Sequence, residues 1–404
     1  MLKNKTVVVG VCGGIAAYKA ADMVSRLKKL NADVHVIMTR SACEFIRPLT
    51  FQSLSQNYVI SDMFQEPRTW EIEHISLAQK ADLFLIAPAT ANLIGKVASG
   101  IADDMLSTTI MATKSPVLFA PAMNCNMYEN PIVQDNIKKL QTLGYLFVEP
   151  AYGRLACGDI GKGKLADTED IIDEVLNTIA FPKDLKGLNV LVTAGPTREA
   201  FDPVRFITNY SSGKMGYAIA KAAKYRGANV TLISGPTALK QINGIKTVYV
   251  ESARDMYHAV MEHYKDSSII IKSAAVSDYR PAEISDSKIK KSSDMNIKLV
   301  KNPDILAELG SKKHKQQVLI GFAMETQDLE RYAQEKVINK NLDLIIANDL
   351  TKEGAGFAGD TNIVKMIDKA GHIEDIPKMT KEQLAHKILD RALQIYSQKI
   401  SIQV

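Results

Sequence analysis

A cysteine in a glycine-rich segment is the first residue of this sequence with evident chemical potential. Cys157 lies within GRLACGDIGKGKL, residues 153–165. Most unpaired cysteines in proteins are buried and inert, but a thiol in a glycine-rich loop is accessible to a reactant. An accessible thiol can act as a proton donor.

Two further polar residues in the first half have spacing that suggests a site. Asn124 lies in PAMNCNMYENP, directly after an apolar run, and can hydrogen-bond a carboxylate or an amide. Met123 and Met127 of the same loop can line an apolar pocket. His74, in WEIEHISLA, begins a predicted helix. A single histidine is more often structural than catalytic, so His74 is a candidate for a site only together with the other polar residues of the first half.

A glycine-rich turn follows the first predicted strand, in the segment GVCGGIAA at residues 10–17. A dinucleotide fingerprint starting at Gly10 would require glycine in place of Cys12, and no acidic residue ends the next strand. That strand runs into Thr39 and Ser41, whose hydroxyls can add donors to a phosphate site. The turn fits a mononucleotide such as FMN, and it fits equally well a tight turn without a ligand.

The segment APATANLIGKVASGIADDMLSTT, residues 87–109, follows another apolar strand. In open α/β sheets, ligands bind beyond the carboxyl ends of the strands. Residues 88–92 are predicted to lie at that edge.

The second half contains SSGKMG, which superficially resembles a phosphate-binding P-loop. A P-loop would require glycine at Thr208 and a hydroxyl at Met215, so this class is excluded. Ser212 and Gly213 still precede a predicted helix, where backbone N–H groups can bind an anion. The alternative is an ordinary serine N-cap. Arg205, together with Asn209, adds polar groups upstream that an ordinary cap does not require.

Lysines flank the loops at several predicted strand ends of the second half: Lys288, Lys290, Lys291, Lys336 and Lys340. This arrangement suits a triphosphate. A nucleic-acid surface would more often interleave aromatic residues or build a continuous basic helix, and neither is present, so no nucleic-acid partner is expected.

The elements that position these residues repeat along the chain. Residues 5–10 and 189–194 are β-branched strands, each followed by a turn and an alanine-rich amphipathic helix, and this order is typical of parallel βαβ units. A polar segment with proline and glycine, residues 181–187, separates the two repeats. We therefore expect an α/β protein with two doubly wound, Rossmann-like domains, residues 1–182 and 183–404. The second is expected to have a mostly parallel sheet.

Composition narrows the class of protein. Of 404 residues, 46% are hydrophobic and 24% are charged, which is typical of a globular chain. The net charge of +5 is uneven: residues 1–182 carry 17 basic and 19 acidic residues, whereas residues 183–404 carry 33 and 26. The second domain is thus the better place for a polyanionic ligand. Four cysteines, no signal-peptide pattern and no long apolar run favour a cytoplasmic location and no membrane partner.

The motifs of the first half, taken together, resemble the flavin-dependent cysteine decarboxylases, and within them phosphopantothenoylcysteine decarboxylase. The shared segments are GGIAAYK, HISLA, APATANLIGK, PAMN and ACGDIGKGKL. The resemblance implies a flavodoxin-like fold in which His74 assists at the junction of flavin and substrate, Asn124 holds the substrate carboxylate with Met127 nearby, and Cys157 donates a proton. It also implies FMN contacts from Gly14, Ile15, Thr39, Ser41, Pro88, Ala89, Thr90, Asn92 and Ser107.

The second half resembles the CTP-using bacterial phosphopantothenate–cysteine ligases. The resemblance implies that CTP with Mg2+ activates 4′-phosphopantothenate as an acyl-CMP, which cysteine then attacks. Asn209 would orient the acyl-cytidylate, Lys288 would neutralise the transferring phosphate, and Arg205, Ser212 and Gly213 would bind substrate. The implied nucleotide contacts are Ser273, Ala274, Asp278, Lys288, Pro303, Asp304, Ile305, Leu306, Phe322, Lys336 and Lys340. Asp278 would read the cytosine amino group or help hold Mg2+, and the metal ligands stay unassigned.

Together the halves resemble the bifunctional decarboxylase/ligase family of coenzyme A biosynthesis over nearly the whole chain. The resemblance implies a homo-oligomer, with decarboxylase trimers joined through ligase dimers into a dodecamer. Two other classes compete with this hypothesis. A non-catalytic flavin-binding regulator or scaffold would be expected to lack His74, Asn124 or Cys157, all of which are present. An NAD-dependent or nucleotide-sugar oxidoreductase is weakened by the failed fingerprints in both halves.

Overall fold

The protein forms two compact units, Met1–Pro182 and Lys183–Val404. The structure is a computed structural model that describes residues 1–64, 72–290, 296–325, 328–349 and 359–401. Each unit has its own hydrophobic core and its own central sheet. The prediction of an α/β protein built from doubly wound units is confirmed.

The first unit alternates strands and helices along the chain. Its strands are β1 (Thr6–Val11), β2 (Asp33–Met38), β3 (Val59–Ile60), β4 (Leu83–Ala89), β5 (Val117–Pro121), β6 (Leu146–Phe147), β7 (Ala151–Arg154) and β8 (Ile160–Lys164). Its helices are α1 (Ala17–Lys29), α2 (Pro48–Ser55), α3 (Glu73–Lys80), α4 (Ala91–Ala98), α5 (Met105–Ala112), α6 (Cys125–Glu129), α7 (Pro131–Thr142) and α8 (Thr168–Ile179), with a 3-10 helix at Arg40–Glu44.

Six parallel strands form the central sheet of this unit in the order β3-β2-β1-β4-β5-β6. Chain order therefore reverses between β1 and β4, and the carboxyl ends of these two strands border the crevice in which such sheets bind ligands. Strand β4 is buried along its whole length, as expected for a strand covered by helices on both faces. Strands β7 and β8 form a separate antiparallel hairpin.

The second unit repeats the same arrangement in a larger sheet. Its strands are β9 (Asn189–Ala194), β10 (Arg198–Ala200), β11 (Phe206–Thr208), β12 (Asn229–Ser234), β13 (Lys246–Tyr249), β14 (Ile269–Lys272), β15 (Tyr279–Pro281), β16 (Leu299–Lys301), β17 (Val318–Glu325), β18 (Leu344–Asp349), β19 (Thr361–Asp368) and β20 (Ile373–Thr380). Its helices are α9 (Lys214–Tyr225), α10 (Ala253–His263), α11 (Ile305–Lys312), α12 (Leu329–Asn339) and α13 (Lys381–Ser401).

The eight-stranded sheet has the order β13-β12-β9-β14-β17-β18-β19-β20. The first six strands of this order are parallel, and β19 and β20 add an antiparallel hairpin at one edge. The mostly parallel sheet is as predicted, and β9 and β14 border its point of reversal. Two small antiparallel pairs, β10 with β11 and β15 with β16, lie outside the sheet.

Helix α13 closes the core of the second unit. It begins with a capping box: the Thr380 N–H donates to Gln383 Oε1 over 3.1 Å, and the Gln383 N–H donates to Thr380 Oγ1 over 3.2 Å. Leu384 and Ile388 on this helix are fully buried, so its apolar face packs in the core. Among the described residues, no helix is long and apolar enough to cross a membrane.

Candidate functional sites

The predicted flavin-binding residues of the first unit come from three adjacent strand ends. Gly14 follows β1, Thr39 follows β2, and Pro88 and Ala89 end β4. Thr39 caps the 3-10 helix, since its Oγ1 accepts from the Ala42 N–H over 3.2 Å. The parallel topology therefore collects residues that lie up to 75 positions apart at one edge of the sheet.

The turn after β1 leaves an open surface at this edge. A Cβ atom built on Gly14 would meet no atom within 4 Å, whereas one on Gly13 would lie 2.4 Å from Cβ of Ser41. Ile15, the next residue, is 62% exposed. An exposed apolar side chain beside an open glycine-rich turn fits the planar ring and phosphate of a flavin mononucleotide.

Helices α4 and α5 begin at defined caps near these strand ends. Thr90 Oγ1 accepts from the Leu93 N–H and caps α4. Ser107 is buried, and its hydroxyl donates to Asp104 Oδ1 over 2.9 Å within a capping box. Burial alone would raise the pKa of Asp104, but hydrogen bonds from Lys96 and Ser107 hold it below its ordinary value. The Ser107 hydroxyl thus stabilises the start of α5.

Asn124 and Cys157 lie in contact. Asn124 caps α6, and its Nδ2 donates to Cys157 Sγ over 3.2 Å and to Asp159 Oδ2 over 2.9 Å. The thiol of Cys157 also lies 3.3 Å from Asp159 Oδ2, close enough to donate to it. Cys157 is exposed, as predicted. Asp159 is a site residue that the sequence analysis missed, although it lies only two positions from the cysteine.

Glycines in β8 allow this contact. A Cβ on Gly163, whose φ is +143°, would lie 2.5 Å from the carbonyl oxygen of Met123. The Met123 N–H donates to the Gly163 carbonyl over 2.9 Å. Because the backbone of β8 packs directly on the loop that bears Asn124, the β7–β8 hairpin holds Cys157 against that asparagine.

His74 lies in the first turn of α3 and is half-buried. Within the described residues it forms no hydrogen bond to Asn124 or Cys157, so its proximity to the reacting atoms stays a prediction. Residues 65–71, just before this helix, lie outside the described residues. Met127 of α6 is 50% exposed.

The second unit has a cavity of about 740 Å³ at the carboxyl ends of its central strands. Thirteen of the predicted ligase residues line it: Asn209, Ser212, Gly213, Ser273, Ala274, Asp278, Pro303, Asp304, Ile305, Leu306, Phe322, Lys336 and Lys340. Residues from loops, from α11 and α12 and from β17 thus meet in one concave surface. The structure also adds residues that the sequence analysis missed, among them Lys272, Lys301, Asn348 and Lys381.

The N-terminus of α9 borders this cavity. Its N-cap is Gly213, with φ of +78° and no capping side chain, so the alternative of an ordinary serine N-cap is wrong. A Cβ at Gly213 would lie 2.7 Å from Thr237 Cγ2, which explains the glycine. Asn209 Nδ2 donates to the Ala275 carbonyl over 3.1 Å, and this hydrogen bond links two residues of the cavity wall. Helix N–H groups without a side-chain cap are well suited to an anion.

An ion pair lies on the opposite side of the cavity. Lys340 Nζ is 2.8 Å from Asp304 Oδ2, and Asp304 Oδ1 accepts from the Ala307 N–H as the cap of α11. Burial opposes ionisation of Asp304, but the Lys340 hydrogen bond and the cap lower its pKa. The carboxylate therefore stays charged and fixes Lys340 at the cavity wall.

Asn348 is buried to 1% exposure at the end of β18 and lines the cavity. Neither its Nδ2 nor its Oδ1 has a hydrogen-bond partner within the described structure. An unsatisfied buried amide costs about 1–3 kcal/mol, and a bound ligand can remove that cost. Asn348 lies at the carboxyl end of a short apolar run, LIIA, and this is the end of a parallel strand where ligands bind.

Arg205 and Lys288 do not line the cavity. Arg205 pairs with the buried Asp202, whose Oδ2 also accepts from the Ile289 N–H over 3.2 Å, and Arg205 Nη2 donates to the Ile289 carbonyl over 3.1 Å. The Arg205 guanidinium holds the pKa of the Asp202 carboxyl well below its ordinary value. Lys288 is exposed, and it directly precedes Ile289, whose backbone is held by Asp202 and Arg205. Lys291 lies outside the described residues.

No cluster of three or more metal-binding side chains occurs within the described ranges. Asp278 is exposed at the cavity. Its carboxylate is therefore available to a ligand or to a nucleotide-bound cation.

The folds and sites define a two-domain α/β enzyme with a flavoprotein unit followed by a unit that has a lysine-lined cavity. Residues 1–180 match the family model for flavoproteins, and residues 185–396 match the model for the DNA/pantothenate metabolism flavoprotein C-terminal domain. The chain is 52% identical over 393 residues to the coenzyme A biosynthesis bifunctional protein CoaBC of Bacillus subtilis, covering 96% of this chain and 97% of that protein. The chain belongs to this family of bifunctional coenzyme A biosynthesis proteins.

The chain is also similar to two further proteins. The CoaBC protein of Vibrio cholerae is 46% identical, with 96% of this chain and 98% of that protein covered. A solved C-terminal domain of a CoaBC protein is 45% identical and covers 54% of this chain and 99% of that domain, with a TM-score of 0.47. The protein is thus a bifunctional enzyme of coenzyme A biosynthesis that combines a flavoprotein decarboxylase with a ligase. This membership excludes the scaffold and the oxidoreductase as alternatives.

Proposed function

We propose that the two units catalyse consecutive reactions. The unit formed by residues 183–404 joins cysteine to 4′-phosphopantothenate at the expense of CTP. The unit formed by residues 1–182 then decarboxylates 4′-phosphopantothenoylcysteine to 4′-phosphopantetheine. The observation that carries the proposal is the pair of sites: the contact between Asn124 and Cys157 in one unit, and the lysine-rich cavity in the other.

In the ligase cavity, the substrate carboxylate attacks the α-phosphorus of CTP, and pyrophosphate leaves with the displaced electron pair. The amine of cysteine then attacks the acyl carbon, which releases CMP and forms the amide. The N-terminus of α9, Lys336 and Lys340 stabilise the phosphate charge. Mg2+ held mainly by the triphosphate shares this role, and the exposed Asp278 either assists it or reads the cytosine.

Asn209, Arg205 and Lys288 have separate parts in this reaction. Asn209 lies on the cavity rim and orients the acyl-cytidylate. Lys288 and Arg205 lie outside the described cavity wall. Their proposed roles, neutralising the transferring phosphate and binding substrate, therefore require the segment with Lys288 to approach the nucleotide, and Arg205 holds that segment through the Ile289 carbonyl.

The decarboxylase site fits FMN at the strand ends described above. When bound, FMN supplies the electron sink for loss of CO2 from a cysteine carboxyl that has no neighbouring carbonyl. Asn124 holds that carboxylate and His74 orients the cysteine end of the substrate. Cys157 donates the proton that the decarboxylated ene-thiolate needs on carbon when it is reduced to 4′-phosphopantetheine, from a position where Asp159 orients its Sγ.

The protein is proposed to work as a cytoplasmic homo-oligomer of decarboxylase trimers and ligase dimers. The β10–β11 hairpin of the ligase unit and the residues just after it support contact with a second copy, since Phe206 in β11 is 43% exposed and Tyr210, two residues after β11, is 95% exposed. A reducing cytoplasm keeps the Cys157 thiol competent. Light scattering of the purified protein measures the assembly, and a monomer would contradict this arrangement.

One experiment tests both reactions. The purified protein should be yellow with bound FMN and should release pyrophosphate from CTP only when 4′-phosphopantothenate is present. Adding cysteine should then yield 4′-phosphopantetheine and CO2. A colourless protein, or pyrophosphate release without phosphopantothenate, would contradict the corresponding half of the proposal.

A further inference from the structure

The chain segment that bears Lys288 leaves the cavity wall at one strand and returns to it at another. Strand β15 starts at Tyr279 and β16 ends at Lys301, and both of these residues line the cavity and pair with each other. Lys288 lies seven positions after Pro281, the last residue of β15. Seven extended residues can span up to about 25 Å. The strand pair alone therefore leaves the position of Lys288 undetermined.

Asp202 holds this segment at the residue that follows Lys288. Its side chain is buried, and its Oδ2 accepts from the Ile289 N–H over 3.2 Å. The same oxygen accepts from Arg205 Nε over 2.9 Å and from Arg205 Nη2 over 2.5 Å. Arg205 Nη2 also donates to the Ile289 carbonyl over 3.1 Å. Both backbone polar groups of Ile289 are thus bound by one ion pair.

The other carboxylate oxygen of Asp202 has a separate set of partners. Its Oδ1 accepts from the backbone N–H groups of Val204 and Arg205, each over 2.8 Å. These two hydrogen bonds close the turn between β10 and β11, and the segment with Lys288 does not take part in them. One oxygen therefore stabilises the turn, and the other joins the turn to Ile289.

A second hydrogen bond joins the same turn to the segment. The Ser285 N–H donates to the Phe201 carbonyl over 3.1 Å. The chain continues from this turn through β11 to Asn209, which lines the cavity. The turn at residues 201–205 thus connects the segment with Lys288 to the cavity wall at two points besides the β15–β16 pair.

We propose that Asp202 is a positioning residue of the ligase reaction, which acts through the backbone of Ile289 to keep Lys288 within reach of the transferring phosphate. The proposal rests on the function proposed above, in which Lys288 neutralises that phosphate. The side chain of Lys288 is exposed and lies outside the described cavity wall, so its position depends on the backbone contacts of its neighbour. A charge acts on a transition state best when its position is fixed in advance, because ordering a free chain costs conformational entropy.

Asp202→Asn tests the oxygen that holds Ile289. The amide oxygen can still accept from the turn, whereas the amide NH2 would face the donors of Arg205 and Ile289. The kcat for CTP-dependent pyrophosphate release should fall about tenfold, while the KM for CTP stays within about twofold of wild type, since the cavity wall is unchanged. Decarboxylation of supplied 4′-phosphopantothenoylcysteine should be unaffected. Asp286→Asn, the same change at an exposed residue of the segment, is the matched control.

Trypsin cleavage after Lys288 measures the anchoring itself, because the bond that is cut contains the Ile289 N–H. Mass spectrometry should show cleavage at this bond about tenfold faster in Asp202→Asn than in wild type or Asp286→Asn. The unfolding temperature of the ligase unit, measured on the same samples, separates this local release from global destabilisation. Equal cleavage rates in all three proteins would overturn the proposal.

The kinetic outcomes separate positioning from a purely structural role. Unchanged kcat in Asp202→Asn, or a raised KM for CTP with normal kcat, would overturn the proposal even if cleavage is faster. If the asparagine variant does not fold, Ile289→Pro decides by the same kcat and KM measurements, because it removes the donating N–H and leaves the carboxylate in place. Full activity of Lys288→Gln, or no pyrophosphate release by wild type, would instead refute the proposed function.

Discussion

The amide of Asn124 donates a hydrogen bond to Sγ of Cys157 over 3.2 Å, although 33 residues separate them in the chain. Asp159 accepts from the same amide over 2.9 Å and lies 3.3 Å from the same sulfur. A substrate carboxylate held by Asn124 would therefore lie next to the thiol that donates the proton. Substitutions at Cys157 and Asp159 can therefore test the role of each residue in this contact.

Cys157→Ser should leave FMN bound and ligase turnover normal, while 4′-phosphopantetheine formation falls at least about 100-fold, since loss of a positioned proton donor typically costs 10²–10⁴ in rate. The flavin absorbance, pyrophosphate release and product mass measure the three properties in one preparation. Normal decarboxylation by this variant would refute the proton-donor role.

Asp159→Asn should make Cys157 react several-fold faster with iodoacetamide at pH 8. Asp159 Oδ2 lies 3.3 Å from Cys157 Sγ and can accept the S–H hydrogen bond, so replacing this carboxylate removes a contact that holds the sulfur away from the reagent. Peptide mass spectrometry gives the rate at Cys157, with Cys125 of the same chain as the internal reference. Asp167→Asn, an exposed residue of the same unit, is the control. Equal rates in both variants would show that Asp159 does not act on the thiol.

Asn348→Ala should weaken CTP binding about tenfold and leave the nucleotide-free protein as stable as wild type, or more stable. The reason is that the removed amide has no hydrogen-bond partner in the described structure. Calorimetric titration and thermal unfolding measure the two effects, with the exposed Asn339→Ala as the matched control. A destabilised protein with unchanged affinity would assign Asn348 a structural role only.

Lys288→Gln should abolish acyl-cytidylate formation and leave decarboxylation of supplied 4′-phosphopantothenoylcysteine unchanged. The lysine lies in the second unit and outside the described cavity wall, so its loss leaves the first unit intact. Pyrophosphate release and CO2 release are measured on the same sample. If both activities disappear, the variant has a folding defect, and if both persist, Lys288 does not take part in the reaction.

The ligase unit should lose stability as the pH falls from 6.5 towards 4. Burial, reinforced by the charge of Arg226, lowers the pKa of His386 from 6.5 to about 4. Between these values the unfolded chain binds a proton that the folded chain does not, so unfolding becomes more favourable as the pH falls. The contribution is about 1 kcal/mol once solvent screening is allowed for.

Scanning calorimetry at pH 6.5 and 5.0 tests this dependence. His386→Gln should show a smaller decrease in unfolding temperature between the two pH values than wild type, because it has no proton to gain. His314→Gln, which removes an exposed histidine of the same unit, should behave as wild type. An equal decrease in all three proteins would rule out His386 as the cause.

Much of the fold was predictable from the sequence because it depends on local patterns. Buried parallel strands are short β-branched runs, and the runs at 5–10 and 189–194 correspond to β1 (Thr6–Val11) and β9 (Asn189–Ala194). The capping box of Thr380 and Gln383 is likewise a four-residue pattern whose hydrogen bonds form within one helical turn. The N-cap at Gly213 was not decided by the sequence, because SSG offers serine and glycine caps of similar free energy.

The sequence by itself determined the chemistry available to this protein: an accessible cysteine, an asparagine after a strand, and a second half rich in lysine. Only the tertiary structure decided which of these groups meet. Asp159 joins Asn124 and Cys157 because Gly161 and Gly163 let the β7–β8 hairpin pack on the distant loop that bears Asn124. In the second unit, β14, β17 and β18 bring Lys272, Phe322 and Asn348 to one cavity. Such contacts depend on backbone separations across the fold, which residue types and spacing do not encode locally.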